Sequence, residues 1–508
     1  MIVLVLATVL AAAAVLVVVL APGPPGLPPY TYVNATLTIG GTSAFEDHDY
    51  FSLNTASPEL NDPQVGSLVT ATGIVDENSG YPAESVNQSA NLQYSDTGTA
   101  TPYTGENDSK FIALCEEVHC RASLPLPGEI DDPGAAAVTV RYVEHTLGFD
   151  PAYWEVGNEP ASWTHFGIPW DQWRPTDHST PTPLQFAQMV QRYVLAVRSV
   201  DPAAQILGIQ SDAGSPSRAD WFTSLMQIDG PNLSAVAYHS YPGGVGTPGE
   251  SLSEFFATLS QPGSFPLNYP LTLSTVRSAC ASCATRLFVG EYNSARLGNL
   301  TAYASGYPEA PYIAAGLLEG LEENASQVTF YGLQPGGATG LLDSNGDPLP
   351  VYYDYATFFR NLALPWIETA TVTGGPSGVY ALASHNSSQV SELVVNTNTA
   401  VGLNLSFAPG AAWNGTAEVY LFGPRLSQPT AVPMTLAGLS KVQVPPEGIL
   451  MIDGPSGSFG PLTLRSHVAP SGQIGAPHAV EGPFPGPAAT VVPAGGVRTA
   501  ASRSRDVS

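Results

Sequence analysis

Lysine is nearly absent from this sequence of 508 residues and occurs only at Lys110 and Lys441. Lysine and arginine together number 17, against 43 aspartates and glutamates, which gives a formal net charge of -26. A nucleic-acid-binding protein needs a basic surface that neutralises phosphates, so the composition argues against nucleic acid as a partner. The same acidic balance repels heavily sulfated polymers and opposes their tight binding.

Charged side chains are missing from residues 1–21, and about 20 apolar residues can span a bilayer as a helix. This segment lacks the basic start and the shorter apolar core of a typical signal peptide, so a cleaved signal and an uncleaved membrane anchor both stay open. Residues 22–29 are proline-rich and predict a stiff linker. Nine Asn-x-Ser/Thr sites, from Asn34 to Asn414, favour a glycosylated protein that is extracellular or on the cell surface.

Cysteine is also scarce, with four residues at positions 115, 120, 280 and 283. An even number in an exported chain indicates disulfides, and four cysteines allow three pairings. Cys280 and Cys283 have the spacing of some redox and metal sites, but without a second such pair we expect a structural bond. The sequence contains no HExxH, serine-elbow or EF-hand pattern, so it predicts no metal and no cofactor.

Six apolar strands alternate with helical segments between residues 120 and 363. This alternation is typical of βα units around a parallel sheet, and no glycine-rich phosphate loop indicates a doubly wound fold. We expect strands three to eight of a (β/α)8 TIM barrel, an α/β fold that occupies residues 30–366. The first two units, between about 43 and 110, carry no clear pattern.

Short strands with turn residues between them follow from residue 367 to residue 455 and predict a C-terminal β-sandwich. Residues 30–41 are also strand-like, and they either belong with the barrel or pair with this C-terminal sheet. Residues 456–508 are rich in proline, glycine, alanine and serine, which predicts a disordered tail.

Two predicted barrel strands end in a glutamate: YWEVGNEP in Glu159 and LFVGE in Glu291. Barrel enzymes carry their chemistry at the C-terminal ends of the strands. Glycoside hydrolysis needs two carboxyl groups there, one to protonate the leaving oxygen and one to attack the sugar or activate water. A separation of about 5–5.5 Å predicts retention of configuration, and about 6.5–9.5 Å predicts inversion. Glu155, four residues before Glu159, is expected to be a buried supporting group.

The segment WEVGNEP (154–160) resembles the signature of clan A glycoside hydrolases, which are retaining (β/α)8 barrels. The segments VAYHSYPGG (236–244) and VGEYNSA (289–295) resemble strands six and seven of glycoside hydrolase family 79, which includes heparanases and β-glucuronidases. The resemblance covers about residues 110–455. It departs at strand two, where residues 79–88 lack the Arg-x-Gly-Gly-like motif of that family.

This resemblance implies roles for five residues. Glu159 would be the acid/base and Glu291 the nucleophile. Asn158 would contact the sugar 2-hydroxyl, His239 would shape the pocket, and Tyr241 would donate a hydrogen bond to the nucleophile.

Four further residues are judged from their positions alone. Trp163 could stack on a sugar face, or it could cover the barrel rim. Arg296, five residues after the nucleophile, is a candidate partner for a uronic-acid carboxylate. Gln210 and Asp212 end the fifth predicted strand and are expected to be structural.

The sequence therefore predicts a retaining glycoside hydrolase that cleaves a β-linked sugar, with β-glucuronides among its candidate substrates. Its partners would be an oligosaccharide, polysaccharide or glycoconjugate, and a membrane if residues 1–21 are uncleaved. One alternative is a catalytically weak surface glycoprotein that uses the barrel as a carbohydrate-binding or structural module. The other is an arabinofuranosidase-like or xylosidase-like enzyme of the same clan.

Overall fold

A computed structural model describes most of the chain between residues 30 and 455. The described ranges are 30–44, 51–55, 74–77, 92–94, 100–102, 112–113, 115–116, 121–126, 128, 131–162, 180–242, 250–261, 264–294, 303, 306–323, 325–332, 340–343, 347–364, 366–407, 416–426, 428–435 and 442–455. The predicted signal or anchor, linker, tail and divergent strand-two segment lie outside these ranges. No helix within them has the length and apolar content needed to cross a membrane.

The described strands are, in chain order, β1 (Thr31–Ala44), β2 (Phe51–Thr55), β3 (Ile74–Glu77), β4 (Leu92–Tyr94), β5 (Ala100–Pro102), β6 (Arg121–Leu126), β7 (Tyr153–Val156), β8 (Ile206–Ser211), β9 (Ala235–Ser240), β10 (Arg286–Tyr292), β11 (Val328–Tyr331), β12 (Trp366–Thr373), β13 (Val379–His385), β14 (Gln389–Asn396), β15 (Val401–Phe407), β16 (Thr416–Phe422), β17 (Thr430–Thr435), β18 (Val442–Val444) and β19 (Ile449–Pro455). The α-helices are α1 (Pro133–Arg141), α2 (Pro183–Arg198), α3 (Ala219–Asp229), α4 (Leu252–Ala257), α5 (Phe265–Ala279), α6 (Glu309–Glu322), α7 (Pro350–Tyr353) and α8 (Arg360–Leu362). π-Helical turns follow α1 (Tyr142–Leu147) and α7 (Asp354–Phe359).

Eight parallel strands are hydrogen-bonded in a closed ring, in the order β2, β3, β6, β7, β8, β9, β10 and β11, with β11 pairing back to β2. The six strands predicted from residue 120 onward are β6 to β11. Strands β2 and β3 supply the first two positions, and β4 and β5 form a separate two-stranded sheet after them. The mixed α/β architecture that the sequence predicted is thus confirmed.

The barrel strands are buried on both faces, which explains their almost continuous apolar character. Outward-pointing side chains such as Trp154 and Val236 join the large core between strands and helices. Inward-pointing side chains such as Tyr153 and Ala237 form a smaller apolar cluster inside the ring. Further along the same inward rows the side chains become polar, at Glu155 and His239, so the chemistry lies at one end of the barrel interior.

Helix α2 shows how local sequence fixes the elements around the ring. Thr182 caps its N-terminus and Gln185 reciprocates to the Thr182 backbone, while Pro183 occupies the first turn. Helix α5 begins at Phe265, with Pro266 in its first turn and Pro270 inside it. Because proline in a helical pattern ordinarily signals a break, the sequence gives little indication of where this helix begins.

The described C-terminal strands form one large, mostly antiparallel sheet of nine strands, and the β-sandwich stays a prediction. The order of this sheet is β17, β16, β19, β14, β13, β12, β1, β15 and β18. Strands from both ends of that order, such as β16 with Val419 and β15 with Leu405, contribute to a single apolar cluster. Strand β1 lies within this sheet, antiparallel to β12 and parallel to β15, so the barrel itself starts at β2.

Cys280 and Cys283 form a disulfide just after helix α5. Cys280 is the residue that caps this helix, and its backbone N–H donates to the Val276 carbonyl. The bond lies away from the polar end of the barrel interior and closes a short turn before β10. The pair thus forms a disulfide, and its structural role stays a prediction.

Candidate active site

Glu159 occupies a backbone conformation that few residues with a side chain adopt. Strand β7 ends at Val156, and Gly157 and Glu159 follow with φ of 82° and 43°, both in the left-handed region. The Glu159 N–H donates to the carbonyl of Gln210 on β8 at 2.7 Å, which holds this unusual backbone in place. Left-handed backbone at a non-glycine residue is concentrated at functional sites. Glu159 is buried, with 6% of the residue's surface exposed.

Glu291 reaches the same end of the barrel through an irregularity in strand β10. The pairing of β10 with β9 shifts register between Val289 and Glu291. Phe288 points into the ring and Val289 points outward to the helices. A bulge re-aims the side chains that follow it. The Glu291 side chain therefore contacts inward-pointing residues of β9 instead of the helix layer.

The two carboxylates meet at His239. The imidazole Nδ1 lies 2.8 Å from Glu159 Oε1 and 2.9 Å from Glu291 Oε2. One oxygen of each glutamate and the histidine nitrogen all lie within 4.8 Å of one another. The Tyr241 hydroxyl donates to Glu291 Oε2 at 2.6 Å. These four predicted site residues thus form one cluster at the ends of β7, β9 and β10, in which Tyr241 is partly buried and the other three are buried.

The charges of the cluster determine how its histidine titrates. Burial alone would lower the pKa of His239. The negative charge of Glu291 and the hydrogen bonds to Glu159 and Glu291 outweigh it and raise that pKa to about 10. Burial and the neighbouring charge of Glu291 raise the pKa of Tyr241 well above its ordinary value. At neutral pH the cluster therefore combines a cationic imidazole with a phenol that donates to a carboxylate.

A buried polar chain continues from His239 to the opposite strand. His239 Nε2 lies 3.3 Å from Gln210 Oε1, and Gln210 Nε2 donates to Glu155 Oε2 at 2.8 Å. Glu155, His239 and Gln210 are all at least 97% buried, with exposures of 0%, 3% and 0%. Asn158 pairs with Gln210 through an isolated β-bridge and is partly exposed at the rim of this chain.

Asp212 and Arg218 form an ion pair beside Glu159. Arg218 donates from Nε to Asp212 Oδ1 at 2.6 Å and from Nη2 to Asp212 Oδ2 at 2.7 Å. Asp212 also accepts a hydrogen bond from Ser162, in the turn after Glu159. Burial opposes ionisation of Asp212, but its hydrogen bonds to Arg218 and the charge of Arg218 lower its pKa. The pair connects the end of β8 to the turn that follows Glu159.

Glu159, His239 and Glu291 are also close enough to share a cation, judged by distance alone. A hydrogen-bonded cluster explains the same convergence, because Nδ1 of His239 contacts both carboxylates directly. We therefore interpret the three side chains as an acid–base cluster.

The structure brings together four of the seven predicted site residues and places a fifth, Asn158, beside them. Trp163 and Arg296 lie outside the described residues. The sequence predicts a structural role for Gln210 but not its contacts, because the side-chain direction on strand β8 depends on a register shift between Leu207 and Gln210. The polar residue at the end of an apolar strand was the available signal.

No protein-family model and no curated protein matches this chain. Solved structures do match it. A family 51 alpha-L-arabinofuranosidase from Bifidobacterium longum is 12% identical with a TM-score of 0.64, and the match covers 83% of this chain and 100% of that chain. The chain has a glycoside hydrolase fold.

Two further structures support the same conclusion about the fold. A family 44 xyloglucanase from Paenibacillus polymyxa is 12% identical with a TM-score of 0.60, covering 83% of this chain and 99% of that chain. The catalytic domain of a family 30 xylanase C from Talaromyces cellulolyticus is 15% identical with a TM-score of 0.54, covering 82% and 99%. The predicted clan A glycoside hydrolase fold is thus confirmed, and the finer resemblance to family 79 stays a prediction.

Proposed function

We propose that this protein is a retaining glycoside hydrolase in which Glu159 is the acid/base and Glu291 the nucleophile. The observation that carries the proposal is the convergence of these two strand-end glutamates, whose nearest ligand oxygens lie within 4.8 Å. This agrees with the separation of about 5–5.5 Å in retaining enzymes and is well below the range of about 6.5–9.5 Å in inverting enzymes.

The reaction would proceed in two displacements. Glu291 attacks the anomeric carbon, the glycosidic C–O bond breaks, and Glu159 gives its proton to the leaving oxygen. Glu159 then takes a proton from water, the water oxygen bonds to the anomeric carbon, and the ester to Glu291 breaks. Oε2 of Glu291 is already held by Tyr241 and His239, so we assign the attack to Oε1.

Asn158 and Tyr241 would support these steps. Tyr241 keeps its proton and donates to Glu291, which orients the nucleophile. Asn158 sits one residue before the acid/base on the same strand end and is partly exposed, which suits a contact with the sugar.

A β-linked neutral sugar suits the described charges better than a sulfated one. A glucuronide carboxylate would call for a cation, and two cations near the glutamates, His239 and Arg218, already pair with carboxylates. We keep β-glucuronides as a candidate substrate class through Arg296, which lies outside the described residues. The second candidate activity is arabinofuranoside hydrolysis, which the likeness to the family 51 fold favours.

We further propose that the enzyme is exported, to the cell surface or beyond. The Cys280–Cys283 disulfide supports this, because disulfides persist in oxidising compartments. Asn34 and Asn232, two of the predicted glycan acceptors, are exposed. Membrane attachment would depend on residues 1–21 and would be tested by locating the full-length chain after fractionation.

The deciding experiment incubates the full-length protein with aryl β-glucuronide, β-glucoside, β-xyloside and α-L-arabinofuranoside, with Glu291→Ala as the matched inactive variant. Turnover that this variant loses, with product of unchanged anomeric configuration by NMR, supports the proposal and names the sugar. Glycan binding without turnover on any substrate by the folded protein would instead support the carbohydrate-binding alternative.

A further inference from the structure

The buried chain from Glu155 through Gln210 to His239 has a fixed direction. The carboxylate of Glu155 accepts hydrogen bonds, so the Gln210 atom facing it is the amide nitrogen. The amide oxygen of Gln210 then faces Nε2 of His239. An oxygen acceptor at that position requires Nε2 to carry a hydrogen.

Fixing a hydrogen on Nε2 decides what Nδ1 can do. A neutral imidazole with its hydrogen on Nε2 would turn the Nδ1 lone pair toward Glu159 and Glu291, at 2.8 and 2.9 Å. A lone pair at Nδ1 would repel an ionised carboxylate, whereas a protonated Nδ1 donates a charge-assisted hydrogen bond to it. The Gln210 contact therefore favours the imidazolium, with Nδ1–H directed between the two glutamates.

The space that the Gln210 amide occupies depends on Gly290. Gly290 lies on strand β10 of the barrel, and a Cβ at that position would overlap Gln210 Oε1. Every side chain other than hydrogen at residue 290 would push the amide away from His239. The VGE segment thus supplies both the nucleophile and the space for this glutamine.

We propose that Gln210 and Glu155 are positioning residues that hold His239 as a shared counter-cation for Glu159 and Glu291. This inference rests on the proposed function. Before the first displacement Glu291 is ionised and Glu159 is protonated, so the imidazolium balances Glu291. In the glycosyl-enzyme Glu291 is an uncharged ester and Glu159 is ionised, so the same cation balances Glu159. The histidine keeps both its protons, and the cluster keeps the same net charge through both steps.

Several other ionisable groups face His239 and define what its titration would report. They are the two glutamates and Tyr241 at the ends of β7, β9 and β10, Asp212 with its partner Arg218 after β8, and Glu155 behind Gln210. None of these groups contacts Nε2 of His239 in the described hydrogen bonds, where the partner of Nε2 is Gln210. A change at Gln210 therefore acts on His239 from the side that the two glutamates do not touch.

The test compares Gln210→Leu with the full-length wild-type protein. We expect kcat to fall by ~10- to 100-fold, because a hydrogen bond to a charged group is lost, while KM changes by less than about twofold. We also expect the basic limb of the pH–rate profile to move to lower pH. NMR of histidine labelled with 15N, with the His239 signal assigned from His239→Gln, should show the imidazolium losing its proton at lower pH.

Two further sets of variants separate positioning from folding. Glu155→Gln keeps an acceptor for Gln210, so this variant should retain nearly wild-type kcat. Glu155→Leu removes the acceptor and should behave like Gln210→Leu. Gln327→Leu is the matched control, because Gln327 is also buried but donates to Thr329 on strand β11, which follows it directly. It should leave kcat and the His239 titration unchanged.

The outcomes distinguish the two proposals. Unchanged kcat and unchanged His239 titration in Gln210→Leu would overturn the positioning role while leaving the glycosidase intact. Equal losses in Gln210→Leu and Gln327→Leu, together with lowered melting temperatures, would also overturn it. If the wild-type protein hydrolyses no glycoside, the proposed function fails, and the NMR titration still decides whether Gln210 holds the imidazolium.

Discussion

The Tyr241 hydroxyl donates to Oε2 of Glu291 over 2.6 Å, with Glu291 buried and Tyr241 partly buried. A hydrogen bond to an ionised group contributes about 1.5–3 kcal/mol. Tyr241→Phe removes this bond and leaves the ring in place against Tyr331. We expect kcat to fall by about 10- to 100-fold with little change in melting temperature. Steady-state kinetics with an aryl glycoside measures the loss, and an unchanged kcat would mean that Tyr241 does not orient the nucleophile.

Glu159→Ala should produce a loss that depends on the leaving group. General acid catalysis contributes about 10²- to 10⁴-fold when the leaving oxygen needs a proton. Aryl leaving groups of low pKa need none, so their first displacement should be nearly unaffected, and hydrolysis of the ester should become limiting. Rates across a series of substituted aryl glycosides test this, with Glu116→Ala, an exposed site, as the control. A uniform loss across the series would contradict the assignment of Glu159.

His239 should make the folded protein more stable in acid than in base. The folded-state pKa of about 10 lies above the ordinary value of 6.5. The stabilisation is therefore fully present below about pH 6.5 and is lost as the pH rises through about 10. The difference in melting temperature between wild type and His239→Gln should be largest near pH 6 and should shrink toward pH 10. A difference that is constant with pH would show that the imidazole binds protons equally in the folded and unfolded protein, so that its pKa is not raised by folding.

Glu392 lies 1% exposed in the nine-stranded sheet, and its oxygens find no hydrogen-bond donor among the described residues. Burial, and then the charge of Glu368 across strand β13, raise the pKa of Glu392 to about 8. The folded protein is thus stabilised below about pH 4.5 and loses this stability as the pH rises through about 8.

Glu392→Gln should remove this loss, which is on the order of a few kcal/mol. Its melting temperature should equal that of the wild type near pH 4 and exceed it near pH 8.5. Calorimetry across this range gives the comparison, with Glu116→Gln as the matched surface substitution. If Glu392→Gln lowers the melting temperature at pH 8.5, the carboxylate is stabilised by a contact that burial does not reveal.

Much of the site was predictable because its residues lie at strand ends. The apolar run before Glu159 and the one before Glu291 each identify a barrel strand, and parallel strands deliver their C-terminal residues to the same edge. That argument needs only the type and direction of the strands. It does not need the pairing of each residue, so Glu159 and Glu291 could be brought together from the sequence, whereas His239 and Tyr241 were implied by the resemblance to family 79.

The contacts of Gln210 and Glu155 could not be predicted in the same way. Side-chain direction alternates along an ideal strand, and the register shifts in β8 and β10 break that alternation. No residue type marks these two shifts. The strand order of the C-terminal sheet could not be predicted for a related reason, since strand patterns show which face is buried and not which strands are neighbours.

Strand β1 has a consequence for how the chain matures. It lies between β12 and β15, and its Thr36 contacts Ser406, 370 residues later. A growing polypeptide must therefore expose β1 without its neighbours while nearly the whole barrel is synthesised. Contacts this distant in sequence form slowly, and unpaired strands can associate with other chains. Protection of β1 during translation, by a chaperone or by prompt export, would decide how much protein a cell recovers.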